Sequence, residues 1–207
     1  MDGTLKLLLT AFDPFGGEET NASMALLDAL PDRLGQAEIR KCILPTVFRL
    51  AGDTACRAMD ELAPDAVICL GQAGGRDALT PERAAINIMD ARIPDNAGAK
   101  PADEPIDPDG PAAYFATLPI RPMAEAMTAA GAPARISDSA GTFVCNSVMY
   151  AVLRHADRRG LSVPCGFIHV PYLEETHPPD DSAPRLPRAV ALRGLLAALE
   201  CVIDRLS

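Results

Sequence analysis

Tryptophan is absent from this 207-residue chain, and tyrosine and phenylalanine number only three and six, so aromatics make up 4% of it. The apolar half of the composition (48%) must therefore pack as Ala, Leu, Val and Ile rather than around large rings. Histidine occurs three times and cysteine six, but no two cysteines are spaced C-x-x-C and no Cys/His group has zinc-ligand spacing, so no metal site is expected. No run of 18 apolar residues is present, so no membrane span is expected. Met1-Asp2-Gly3-Thr4-Leu5-Lys6 lacks the basic start and apolar stretch of a signal peptide, so the expected location is cytoplasmic. Cations are short too: 19 Lys and Arg face 28 Asp and Glu, a net charge of −9, with no basic cluster beyond pairs such as Arg158-Arg159. An acidic surface argues against nucleic-acid binding. In a reducing compartment the cysteines read as free thiols. Cys42, Cys69 and Cys165, in apolar runs, and Cys56 and Cys201, in helical patterns, read as small buried hydrophobes.

What the chain does have is alternation. A length of 207 residues suits a single domain over 1–207 that needs neither disulfide nor metal to fold. Apolar runs at Lys6–Phe12, Ala37–Leu44, Asp65–Leu70 (stopped by Gly71) and Pro164–Val170 predict buried strands. Arg83–Met89 alternates and predicts another, and Ala134–Asp138 a short one. Helical spacing predicts helices over Asn21–Leu30 (Ser23 as N-cap), Val47–Leu62, Pro119–Ala130 (stopped by Gly131), Thr142–Arg158 and Pro187–Leu206. Pro94–Pro111 and Thr176–Pro187 read as loops, the first long enough to suggest function. Strands alternating with helices predict an α/β fold, a mostly parallel sheet with helices on both faces.

The residues able to do chemistry gather where these strands end, which is where open α/β sheets place their sites. Cys145 follows the small turn Ser139-Ala140-Gly141-Thr142-Phe143-Val144 at the start of a helix. The unpaired N–H groups and positive dipole end there favour a thiolate, the nucleophilic form of cysteine. His169 ends an apolar strand and reads either as a satisfied core histidine or as the base for Cys145. Glu82 reads either as a strand-end surface carboxylate or as the group that orients that base. His155 and His177 read as solvent-facing. Phe12 and Phe15, flanking Pro14, either anchor their loop or enclose a small flat ligand. Gly71–Arg76 either cradles a phosphate, although it matches neither G-x-G-x-x-G nor the Walker pattern, or forms a tight loop that positions Gln72.

Taken in order, FDPFGG (Phe12–Gly17), GQAGGR (Gly71–Arg76), PERAAIN (Pro81–Asn87), ARIPDN (Ala91–Asn96), GPAAYF (Gly110–Phe115), SAGTFVCN (Ser139–Asn146) and GFIHVPY (Gly166–Tyr172) resemble the pyroglutamyl peptidase I family. The resemblance implies a three-layer α/β/α sandwich and a cofactor-free cysteine peptidase acting on pyroglutamyl peptides, commonly a homotetramer. It carries over Cys145 as nucleophile, His169 as general base and acid, and Glu82 as orienter. It makes Phe12 and Phe15 walls for the pyrrolidone ring, places Asn21, Thr46 and Gln72 around or beneath that pocket, sets Phe143 and Val144 about the ring, and offers Arg92 as an oxyanion-site candidate. The chain departs from the family pattern at Ala11, where Gly is usual, and at Ala22, where Pro is usual; neither removes a catalytic group. Two other readings stand beside it. One is a noncatalytic module that binds a pyroglutamyl end; the other is a nucleotide-binding protein using Gly71–Gly75.

Overall fold

The computed structural model describes residues 4–177 and 182–207. At its centre is a six-stranded sheet formed by β1 (Leu5–Phe12), β2 (Arg33–Leu34), β3 (Ala37–Leu44), β4 (Ala66–Gln72), β5 (Thr80–Pro81) and β8 (Cys165–Val170), in the order β2-β3-β1-β4-β8-β5. The four long strands run parallel, and the two-residue edges β2 and β5 are antiparallel to their neighbours. Short edges limit the backbone left open to unwanted pairing.

Side-chain alternation splits the core into two layers. Leu7, Leu9, Ile68, Leu70, Ile168 and Val170 pack on one side with helices α1 (Ala22–Ala29), α3 (Ile120–Ala129) and α5 (Arg188–Leu206). Leu8, Val67, Cys69 and Phe167 face the other way, against α2 (Leu50–Leu62) and α4 (Val144–Arg158). The result is the three-layer α/β/α arrangement expected. Strands buried on both faces read in sequence as continuous apolar runs, which is why β1, β4 and β8 were legible.

Several local expectations give way to tertiary structure. Arg83–Met89 does not join the main sheet; β6 (Ala84–Ile86) pairs antiparallel with β7 (Ala113–Phe115) in a separate ribbon. Ala134–Asp138 forms only isolated bridges, at Ala134 and Ser137. β4 runs through Gly71 to end at Gln72. The N-cap of α1 is Asn21 rather than Ser23, because the Asn21 side chain accepts the Ser23 N–H at 2.9 Å. α2 starts at Leu50 rather than Val47, since the Phe48 N–H is taken by the buried Asp95 carboxylate at 2.9 Å. Asp95 also accepts the N–H groups of Ala97 and Ala99, which organises the start of the Pro94–Pro111 loop. β9 (Tyr172–Leu173) pairs with β10 (Arg185–Leu186), so a strand ends the stretch read as a polar loop, whose positions 178–181 lie outside the described residues. Cys69 and Cys165 are buried as expected, whereas Cys42, Cys56 and Cys201 are half-buried.

Candidate active site

The ends of β4 and β8 and the start of α4 converge on one cavity of about 730 Å³. In the parallel β4–β8 pair Gly71 lies opposite His169, and in the antiparallel β5–β8 pair Thr80 does. Glu82 follows β5 directly, and its N–H donates to the Phe167 carbonyl at 2.9 Å, so the chain delivers its side chain beside the histidine. His169 Nδ1 lies 2.7 Å from Glu82 Oε1, with both side chains buried. An ionised carboxylate only accepts, so Nδ1 carries the proton and Nε2 keeps its lone pair. The Phe167 ring packs 4.8 Å from the imidazole and fixes its plane.

Cys145 is the second residue of α4, whose N-cap residue Phe143 supplies no capping side chain. The first-turn N–H groups are therefore left without an N-cap side chain. Gly71 makes room for the thiol. A Cβ there would stand 2.9 Å from Cys145 Sγ and 2.6 Å from Phe167 Cζ, both closer than side-chain carbons pack. Gly71→Ala is expected to cost about 1–3 kcal/mol through overpacking. It should also lower kcat/KM roughly 100-fold by displacing the sulfur. Chemical denaturation and steady-state kinetics measure the two effects, and an unchanged kcat/KM would refute the steric account.

The charges around these groups set their protonation. Burial pushes the Glu82 carboxyl up, but the His169 hydrogen bond and charge, then the Ser137 hydroxyl and Arg76, outweigh it, leaving its pKa below the ordinary value. Burial pushes His169 down, more than Glu82 pulls it up. Burial, then the Glu82 charge, pushes the Cys145 thiol up to about 12, although Arg76 and its own backbone N–H pull the other way. The thiolate expected from the helix terminus is thus not the resting form. The pair rests as thiol and neutral imidazole, because desolvation exceeds the dipole's help.

Of the residues expected from sequence, Cys145, His169, Phe15, Gln72, Arg92 and Phe143 line the cavity. Phe15 and Phe143 stand 6.0 Å apart and form its aromatic wall, with Phe48 edge-on behind Phe143 at 5.3 Å. Phe12 does not line the cavity: it is 2% exposed and packs in the core, 6.3 Å from Phe167. Val144 is fully buried against the sheet. Asn21 and Thr46 act from behind. Asn21 Nδ2 and Thr46 Oγ1 both donate to the Asp13 carbonyl, at 3.0 and 3.2 Å, and so hold the turn that presents Phe15.

Sequence reasoning missed four residues of this frame. The Asp13 carboxylate accepts the Thr46 N–H at 2.7 Å and Asn96 Nδ2 at 3.2 Å. Glu18 accepts Gln72 Nε2 at 2.6 Å and the Tyr172 hydroxyl at 3.0 Å. Asn146, beside the cysteine, accepts the Ile86 N–H and donates to the carbonyls of Ile86 and Ile88, which ties α4 to the β6 ribbon. Arg76 meets Glu82 in an ion pair at 2.6 Å. Their only signal was a polar residue inside an otherwise apolar or Gly-rich motif. His155 and His177, read as solvent-facing, are half-buried. His155 Nε2 lies 2.9 Å from Asp60 Oδ1, and His177 stacks on Tyr172 with ring centroids 3.6 Å apart.

The chain is similar to known proteins over nearly its whole length. Pyrrolidone-carboxylate peptidase 1 of Caldanaerobacter subterraneus subsp. tengcongensis is 44% identical over 203 residues, 98% of this chain and 100% of the relative. Pyrrolidone-carboxylate peptidase of Thermoanaerobacter sp. is 53% identical over 169 residues, 82% of this chain and 83% of the relative. The crystal structure of Bacillus amyloliquefaciens pyroglutamyl peptidase I superposes with a TM-score of 0.93 at 42% identity, covering 97% of each chain. The family profile described as pyroglutamyl peptidase matches residues 5–205, nearly the whole of the cavity-bearing fold, and the chain belongs to this family of cysteine hydrolases.

Proposed function

We propose that this chain hydrolyses the amide bond that follows an N-terminal pyroglutamyl residue, with Cys145 as nucleophile, His169 as base and then acid, and Glu82 as orienter. The observation that carries the reading is the buried His169–Glu82 hydrogen bond of 2.7 Å on the cavity that also holds Cys145. As Cys145 Sγ attacks the carbonyl carbon, neutral His169 Nε2 takes the thiol proton. The carbonyl oxygen, now negative, meets the uncapped N–H of Cys145 and the Arg92 guanidinium. The imidazolium, stabilised by Glu82, protonates the leaving amine as the C–N bond breaks, and a thioester remains. Water, deprotonated by His169, attacks that thioester, and collapse releases pyroglutamate and restores the thiol. No cofactor takes part.

Specificity follows from the wall and from one amide. Phe15 and Phe143 suit the faces of a small flat ring. Gln72 Oε1 accepts the Ala22 N–H at 2.7 Å and one Nε2–H goes to Glu18, so the amide is locked with one N–H left for a lactam carbonyl. Proline lacks that carbonyl and would strand the donor in a desolvated site. Pyroglutamyl-coumarylamide is therefore expected to be cleaved with a kcat/KM on the order of 10⁴ times that of prolyl-coumarylamide, and iodoacetamide should abolish the reaction. No cleavage by folded, reduced protein would favour the binding module, to be followed by titration with pyroglutamate. The nucleotide reading loses support because Gly74 lies against Tyr172, where even a Cβ would come within 2.5 Å of the hydroxyl.

The reading extends to a single domain over residues 1–207, acting in the cytoplasm as a homotetramer. Six free thiols suit a reducing compartment.

A further inference from the structure

The last residue of the Gly71–Arg76 loop has no part in the mechanism above, yet it touches the centre of it. Arg76 lines the cavity with its side chain 25% exposed. Its Nη1 lies 2.6 Å from Glu82 Oε1 and also meets the Thr80 hydroxyl. Glu82 Oε1 is the same oxygen that accepts His169 Nδ1–H at 2.7 Å. One buried carboxylate oxygen thus serves a permanent cation and the imidazole at once, while Glu82 Oε2 has no hydrogen-bond partner among the described residues.

The sharing has consequences for both protonation states. While His169 is neutral, the guanidinium compensates a carboxylate that would otherwise be buried unpaired. Once His169 is protonated, its imidazolium must share the carboxylate with a second positive group and gains less from it than from an unshared one. We propose that Arg76 is a fourth, positioning member of the catalytic group, fixing the Glu82 carboxylate and holding part of its charge, so that His169 rests neutral and Cys145 does not face an uncompensated anion. The inference rests on the triad proposed above. The other charged or titratable groups around this cluster are Asp90, Arg92 and Tyr172 on the cavity wall and the Cys69 thiol behind Cys145.

The sign of the effect is fixed. Without Arg76, Glu82 acts undiluted, so both the His169 imidazolium and the Cys145 thiol hold their protons to higher pH. In Arg76→Gln the acid limb of the kcat/KM profile for pyroglutamyl-coumarylamide is expected to move up by about one pH unit. The pH profile of Cys145 alkylation by iodoacetamide, followed by mass spectrometry of the Cys145 peptide, should move the same way. Arg76→Lys, which keeps the charge, should restore most of both. A fall in kcat/KM with both profiles unmoved would overturn the proposal and leave Arg76 a merely structural residue. The alkylation arm needs no substrate, so it tests Arg76 even if the pyroglutamyl reading fails.

Because Arg76→Gln strands a buried carboxylate and so costs stability, the Glu82→Gln background supplies a second test in which no carboxylate is there to be stranded. In the Glu82→Gln background Arg76 keeps only its direct charge effect on His169 and Cys145, so if it acts mainly through Glu82, adding Arg76→Gln should move both profiles by clearly less than in the wild-type background. A further shift as large as in the wild-type background would overturn the proposal.

Discussion

Cys145→Ala is expected to lower kcat for pyroglutamyl-coumarylamide by a factor on the order of 10⁵–10⁶, the loss typical when the nucleophile of a triad is removed. The fold should survive. Cys145 sits half-buried at the cavity edge of α4, and the neighbouring Asn146 and Val144 keep the helix anchored to β6 and to the sheet. Truncating the side chain to a methyl removes one sulfur against Gly71 and leaves no polar group stranded, so the stability change should stay below about 1 kcal/mol. Kinetics and thermal unfolding of the same preparation decide the matter. Retained turnover in pure variant would remove Cys145 from the mechanism, whereas lost turnover with a collapsed melting temperature would leave its role unread.

His169→Ala is expected to cost on the order of 10⁴ or more in kcat/KM, because His169 is the only imidazole among the described residues that line the cavity. Glu82→Gln should be milder, roughly 100-fold. The amide oxygen can still accept from His169 and Arg76, and its NH₂ replaces Oε2, which has no partner within hydrogen-bonding distance among the described residues. Geometry is kept and the charge opposite the imidazolium is lost. Equal turnover in both variants and wild type would refute the triad. The pH dependence has a definite sign as well. Burial lowers the folded-state pKa of His169 below its ordinary 6.5, so the unfolded chain takes the proton first. This group's contribution makes the folded state lose stability as pH falls below about 6.5, and places the acid limb of activity below that value too. An acid limb above 6.5 in the wild-type enzyme would contradict the buried, neutral histidine.

Much of the fold and the core of the site were readable because they depend on local pattern. β1, β4 and β8 are apolar runs ended by Gly- or Pro-bearing turns, and Cys145 and His169 fall at segment ends where α/β sheets expose side chains. What was not readable depends on partners distant in sequence. Phe12 and Phe15 look equivalent on either side of Pro14, but Phe12 belongs to the pleat of β1 and enters the core, while Phe15 follows the turn and reaches the cavity. The β6 ribbon alternates like a sheet strand, yet its partner Ala113–Phe115 lies beyond a loop whose length no periodicity reveals. The thiol's protonation could not be read from the helix start alone, because desolvation and the Glu82 charge come from segments 60 or more residues upstream and from the closed fold.

The antiparallel edge β5 and the central strand β8 also bear on how the chain is made. Glu82 and His169 are separated by 87 positions, and Cys145 falls between them. On a ribosome the thiol leaves the exit tunnel before the histidine does. β8 must then insert between β4 and β5 before carboxylate and imidazole meet, a non-local pairing that comes late in folding. Under the mechanism proposed above, an unfinished chain therefore carries the nucleophile Cys145 without its base. On that reading, strand order alone keeps the nascent polypeptide from cleaving amides before the sheet is complete.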